Sequence, residues 1–175
     1  MIASLLTSSA ALGIAAAIPA RTDQPDYFAA AICEPPYSMS QATRLYKAAE
    51  TLGKADTSTL GAAVYTLPSK IERDGFTASA VIFSGSSVGI LLDDEVAQKA
   101  AQHFGLRSEG SHLFGASSLG FARVLPDEQQ SMKELGLISV VARQGPALAG
   151  KTLLACEFVS HADREALEQY DARQR

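Results

Sequence analysis

The run Ala78-Ser79-Ala80-Val81-Ile82-Phe83-Ser84-Gly85-Ser86-Ser87-Val88-Gly89-Ile90-Leu91-Leu92 can be read in two ways, and the choice between them decides the fold. Gly85-Ser86-Ser87-Val88-Gly89 has the G-x-S-x-G spacing of a hydrolase nucleophile elbow, in which two glycines permit the strained turn that lifts a serine hydroxyl, here Ser87, clear of the backbone. His161, after a strand-like run and before a helical one, stands where such enzymes place their base. An elbow, however, leads straight into a helix. Ile90-Leu91-Leu92 instead continues as a second apolar strand, so Ser84 to Ser87 reads as a hairpin turn. No acid closes the run Leu137 to Ala142, where the third member of a triad is expected, although Asp127 and Asp163 stay open for that role. No Gly-rich oxyanion loop precedes the motif.

With the hairpin reading, the flanking segments organise into an α+β domain. Further strand-like runs are Gly61 to Leu67, Leu119 to Leu125, Leu137 to Ala142 and Lys151 to Val159, each rich in Val, Ile, Leu or Phe. Tyr27 to Cys33, stopped by Glu34-Pro35-Pro36, is expected to be an N-terminal strand. Ser38 with Gln41 three positions on forms a capping-box pattern for a helix whose inner face is Ala42, Leu45, Ala49 and Leu52, ended by Gly53. Asp93 and Asp94 suit the start of a second helix, with Val96, Ala97, Ala100, Ala101 and Phe104 inward and Gly105 as its stop. Ser160 with Asp163 opens a C-terminal helix through Ala166, Leu167 and Tyr170. Pro126 to Gly136 reads as a further short helix.

Lys47-Ala48-Ala49-Glu50-Thr51-Leu52-Gly53 is echoed by Lys99-Ala100-Ala101-Gln102-His103-Phe104-Gly105, and the strands that follow each are similarly punctuated. This suggests two tandem helix-strand-strand-strand units, about 38–92 and 93–159, within a single domain over 27–175. The expected architecture is an antiparallel sheet with helices packed on one face, preceded by a strand and followed by a helix. The second unit carries an insert, Arg107 to Ser118, whose His112 and Phe114 are candidate ligand-binding residues because elaborations on a scaffold often carry its distinctive surface.

Composition narrows the function. The chain has 175 residues, 47% of them hydrophobic and 19% charged, with a net charge of −4. That fits one globular domain and gives no electrostatic case for nucleic acid. Met1 to Ala20 has no charged side chain and ends in small residues before the polar linker 21–26, so it reads as a signal peptide without the usual basic start; an uncleaved anchor and an apolar helix packed in the core are the alternatives. Export makes a Cys33–Cys156 disulfide plausible, worth roughly 4 to 5 kcal/mol of loop-closure entropy, with two buried free thiols as the other possibility. Two Cys and three His offer no recognisable metal spacing, and no phosphate-binding motif is present, so no metal or cofactor is expected. His103 fits a helix C-terminus, and His161 a solvent-facing first turn. The resulting expectation is a periplasmic or secreted non-catalytic binding or inhibitory module for an envelope protein or small ligand, without a membrane span in the mature protein. The alternative is a small serine esterase using Ser87 and His161.

Overall fold

A computed structural model describes residues 25–59, 61–109 and 119–174. The expected signal segment Met1 to Ala20, the linker as far as Gln24, and both His112 and Phe114 lie outside the described residues. Helices α1 (Tyr27–Ala31) and α2 (Met39–Glu50) precede a meander of β1 (Ala63–Arg73), β2 (Phe76–Ser84) and β3 (Ser87–Leu92). Helix α3 (Ala97–Phe104) then leads to β4 (Arg107–Ser108), β5 (Leu119–Val124), β6 (Gly136–Gln144) and β7 (Thr152–Ser160), and α4 (His161–Gln174) closes the chain. The strands form one seven-stranded sheet in the order β1-β2-β3-β7-β6-β5-β4, antiparallel at every pairing. The α+β class with an antiparallel sheet is therefore as the sequence predicts. Among the described residues no helix is long and apolar enough to cross a membrane.

Alternation along the strands sorts the side chains onto two faces. Tyr65, Val81, Val88, Ile90, Val140, Leu154 and Cys156 point to the first face and join Phe28, Ala31, Leu45, Ala49, Ala100 and Ala101 from the first three helices in the principal core. Cys33, just past α1, is bonded to Cys156 at the centre of the sheet, with Cα atoms 5.0 Å apart.

Three local expectations change along the chain. Tyr27 to Ala31 is a helix, not a strand: the Ala29 N–H donates to Asp26 Oδ1 at 2.8 Å, which starts the turn. Because Tyr27, Phe28, Ala30 and Ala31 are all buried, the segment has no polar face to reveal a helical period. Strand β1 runs past Leu67-Pro68 to Arg73; it is the sheet edge, and its register shifts between Thr66 and Ile71, where a proline can sit without breaking a central ladder. The segment after Pro126 winds only into a 3-10 turn, Asp127–Gln129. There the buried Gln130 side chain takes over: its Nε2 donates to the Leu125 and Ile138 carbonyls at 2.9 and 3.0 Å, and its Oε1 accepts from Ile138 N–H at 2.8 Å.

Helix α3 is capped from across the fold and not by its neighbouring acids. Val96 N–H donates to Thr152 Oγ1 at 2.8 Å and Ala97 N–H to Gln144 Oε1 at 3.0 Å. This frees Asp93 to collect Lys70 at 2.8 Å, Ser79 at 2.8 Å and Lys151 at 3.1 Å. Lys70 comes from the irregular stretch of β1, so the bulge aims a cation at the Asp93 turn. The hydrogen bond from Lys70, followed by that from Ser79, holds the Asp93 carboxyl well below the usual carboxylate range.

Two outcomes follow from these links. Reducing the disulfide, or replacing both cysteines by Ser, is expected to lower unfolding free energy by about 3–5 kcal/mol, measured as the shift in urea midpoint. For Asp93 the folded pKa lies below the unfolded value near 4, so its contribution is complete above about pH 4 and fades as pH falls through the folded value. Asp93→Asn should therefore cost about 1–2 kcal/mol at neutral pH and flatten the acid side of the stability curve. An unchanged acid limb in thermal melts across pH would contradict it.

Candidate functional site

The second face of the sheet is covered differently. Ala62, Ala80, Ile82, Leu91 and Leu148 form a small buried cluster at one end. Over the rest stands α4, which leaves β7 directly. Its first turn is fixed by Ser160, whose Oγ donates to Asp163 Oδ2 at 2.6 Å and accepts from Asp163 N–H at 3.1 Å. The helix is polar, and only Leu167 is half-buried among its described side chains. Three helices thus cover the first face, while the fourth stands over the other with open space on both sides.

One groove, about 450 Å³, lies between α4 and the β2–β3 turn, bordered by Ser84, Gly85, Phe158, Ala166 and Tyr170. The other, about 420 Å³, lies between α4 and β5–β6; Ala122, Val124, Leu137, Val141, Val159 and Leu167 supply its apolar surface. Glu157, Val159 and Leu167 border both. The register puts Val124, Ser139, Glu157 and Ser87 in one row across this face, and Ala122, Val141, Ala155 and Gly89 in the next. Val124 is 51% exposed and Tyr170 43%, so apolar surface continues out of the grooves to the rim.

Set into this apolar surface is an ion triad. Arg143 Nε and Nη2 donate to Glu109 Oε2 and Oε1 at 2.9 and 2.8 Å, and its Nη1 and Nη2 donate to Glu157 Oε1 and Oε2 at 3.1 and 2.9 Å. The three side chains are 11%, 16% and 18% exposed. Burial alone works against the guanidinium charge, but the hydrogen bonds and charges of the two carboxylates prevail and raise the Arg143 pKa. Space for this arrangement depends on Gly120 beside Arg143 in the register: a Cβ there would come within 2.5 Å of Glu109 Oε2.

The sequence-predicted residues are placed as follows. Gly85, with φ +54, makes the β2–β3 turn, and Gly89 serves the seam with β7, where a Cβ would lie 2.8 Å from Ala155 Cβ. Ser87 Oγ donates to the Ser84 carbonyl at 2.9 Å, within the hairpin, and Ser86 Oγ donates to the Phe158 carbonyl at 2.5 Å. His161 Nε2 lies 2.9 Å from the Lys133 carbonyl oxygen. Ser87 pairs with Glu157, four residues before His161, so the two candidate catalytic side chains stand on the order of 10 Å apart along the strand direction. His103 lies near the end of α3, 3.6 Å from Asp74 and against the Phe76 and Phe104 rings. Among the described residues no group of three or more His, Cys, Asp or Glu could hold a metal ion.

Nothing in the sequence alone brings Glu109, Arg143 and Glu157 together. The available signal was a charged residue inside each of two strand-like runs, Val140-Val141-Ala142-Arg143 and Leu154-Ala155-Cys156-Glu157, on the same alternating face.

The triad can be tested through the glycine that admits it. Gly120→Ala is expected to cost about 1–3 kcal/mol by forcing Glu109 off Arg143. Combined with Glu109→Gln, it should add little beyond either change alone in urea unfolding; fully additive losses would show that the glycine and the carboxylate are not coupled.

No protein-family model, no curated protein and no solved structure matches the chain.

Proposed function

We propose that the chain is an exported binding module that takes a small, largely apolar ligand into the space between α4 and the second sheet face. The observation that carries this reading is an apolar sheet surface left beneath a polar helix, with grooves of about 450 and 420 Å³ on its two sides. Those volumes fall in the range of small-molecule sites, which pair a mostly apolar lining with a few fixed polar groups. Here the fixed polar groups are Glu109, Arg143 and Glu157, whose mutual hydrogen bonds hold their positions before any ligand arrives.

Two further observations support the reading. The Cys33–Cys156 disulfide suits an oxidising compartment, in keeping with the uncharged, small-residue segment Met1 to Ala20. Ser87 and His161 are each engaged with a backbone carbonyl, which favours binding over hydrolysis.

Titration with Nile red, an uncharged apolar dye, tests the site. The folded protein should give saturable one-site fluorescence enhancement, weakened about tenfold or more by Ala122→Trp, which fills the groove from β5. The circular dichroism of the variant should match the parent. Non-saturable enhancement, or the same affinity in the variant, would remove the basis for the proposal.

A further inference from the structure

The geometry points to one chemical class of ligand for the groove between α4 and β5–β6: an amphipathic amine, protonated at one end and apolar along its length. This rests on the reading of that groove as the binding site and adds what the site selects.

The argument is one of charge and of hydrogen-bonding capacity. Two carboxylates, Glu109 and Glu157, share the single guanidinium of Arg143, and among the described residues neither has another ion-pair partner. The half-buried triad therefore carries one uncompensated negative charge. A charge withdrawn from water gains most from a cation that reaches it directly. Arg164 also borders the groove, but it stands on α4, 47% exposed, with its guanidinium 3.4 Å from Glu168.

The donors and acceptors point the same way. Arg143 commits four N–H groups to the carboxylates, and each of the four carboxylate oxygens accepts one of them. An ionised carboxylate oxygen has a second lone-pair site, so the triad retains spare acceptors on all four oxygens and few spare donors. An ammonium is three donors and no acceptor, which complements this; a ligand carboxylate would bring like charge and more acceptors. Next to the triad, Ala122, Val124, Leu137 and Val141 line the same groove and suit an alkyl or similar apolar body. The net charge of −4 on the whole chain favours approach of a cation as well.

Calorimetric titration of the full chain at pH 7 with octylamine, octanol and octanoate separates the possibilities. The three share one apolar body, and the amine is protonated at this pH as a lysine is. Octylamine is expected to bind about tenfold tighter than octanol, and octanoate more weakly than octanol. Glu157→Gln and, separately, Glu109→Gln should each reduce the ratio of octylamine to octanol affinity about fivefold or more. Two carboxylates give two chances of a variant that folds, with thermal melts reporting which does. Octanoate binding as tightly as octylamine, or an amine preference unchanged in both variants, overturns the inference while leaving the groove as a binding site. Failure of all three compounds to bind overturns the groove reading itself and the inference with it.

Discussion

The antiparallel seam between β3 and β7 is the contact on which the rest of the molecule depends. It joins a meander made by the first half of the chain to one made by the second, over the register Ser87↔Glu157 to Leu92↔Thr152. Without it there are two small sheets, each with an unpaired edge and an unburied face. The seam is tightened by Gly89, which brings the β3 backbone against Ala155, and is bolted on its first face by Cys156, whose disulfide carries Cys33 and α1 onto the two central strands. Thr152 lies at the far end of the same register and caps α3 through Oγ1. One strand, β7, thus organises the sheet, the disulfide and a helix N-terminus.

Concentrating these functions on β7 also produces the asymmetry between the two faces. Its inward residues, Leu154 and Cys156, are fully committed to the principal core. Its outward residues, Glu157 and Val159, have only a polar helix above them, because β7 passes into α4 at Ser160 without a loop in which the chain could turn back to the first face. A helix with little apolar surface cannot close over an apolar sheet; it contributes Leu167 and leaves the flanks open. The grooves follow from connectivity and composition together.

Much of this order was legible in the sequence, and the failures have identifiable causes. Central strands announced themselves through runs such as Val81-Ile82-Phe83 and Ile90-Leu91-Leu92, and the hairpin was readable because the residues after Gly89 remain apolar when an elbow would require a helix. The disulfide was open to inference from two cysteines in a chain with an export-like start. Helix α1 is not legible as a helix because burial of Tyr27, Phe28, Ala30 and Ala31 erases the periodicity that distinguishes helix from strand. Asp93 and Asp94 are the helix-start residues that sequence shows beside α3, whereas Thr152 and Gln144, which cap it, become neighbours only through the sheet. The triad escaped for the same reason: Glu109, Arg143 and Glu157 are distant in sequence and converge across β4–β5, β6 and β7.

Stability alone does not account for that triad. Buried ion clusters gain Coulombic attraction but lose hydration, and apolar side chains of similar volume often replace them with neutral or favourable effect. On a face already lined by Val124, Leu137, Val141 and Val159, three more apolar residues would have extended the surface that Leu167 can cover. The ion cluster instead has a glycine at position 120 making room for Glu109 and keeps an unmatched negative charge partly withdrawn from water. A glycine within a strand and a charge drawn out of water each work against stability in general. What they provide is a fixed direction of charge in an otherwise apolar groove, with four carboxylate oxygens oriented by one guanidinium. That is a property of recognition surfaces, where polar groups held in place before binding avoid the entropy of being ordered during it. The ion cluster lies where α4 leaves the sheet accessible on its β5–β6 side, and that coincidence is the strongest physical reason to place function there.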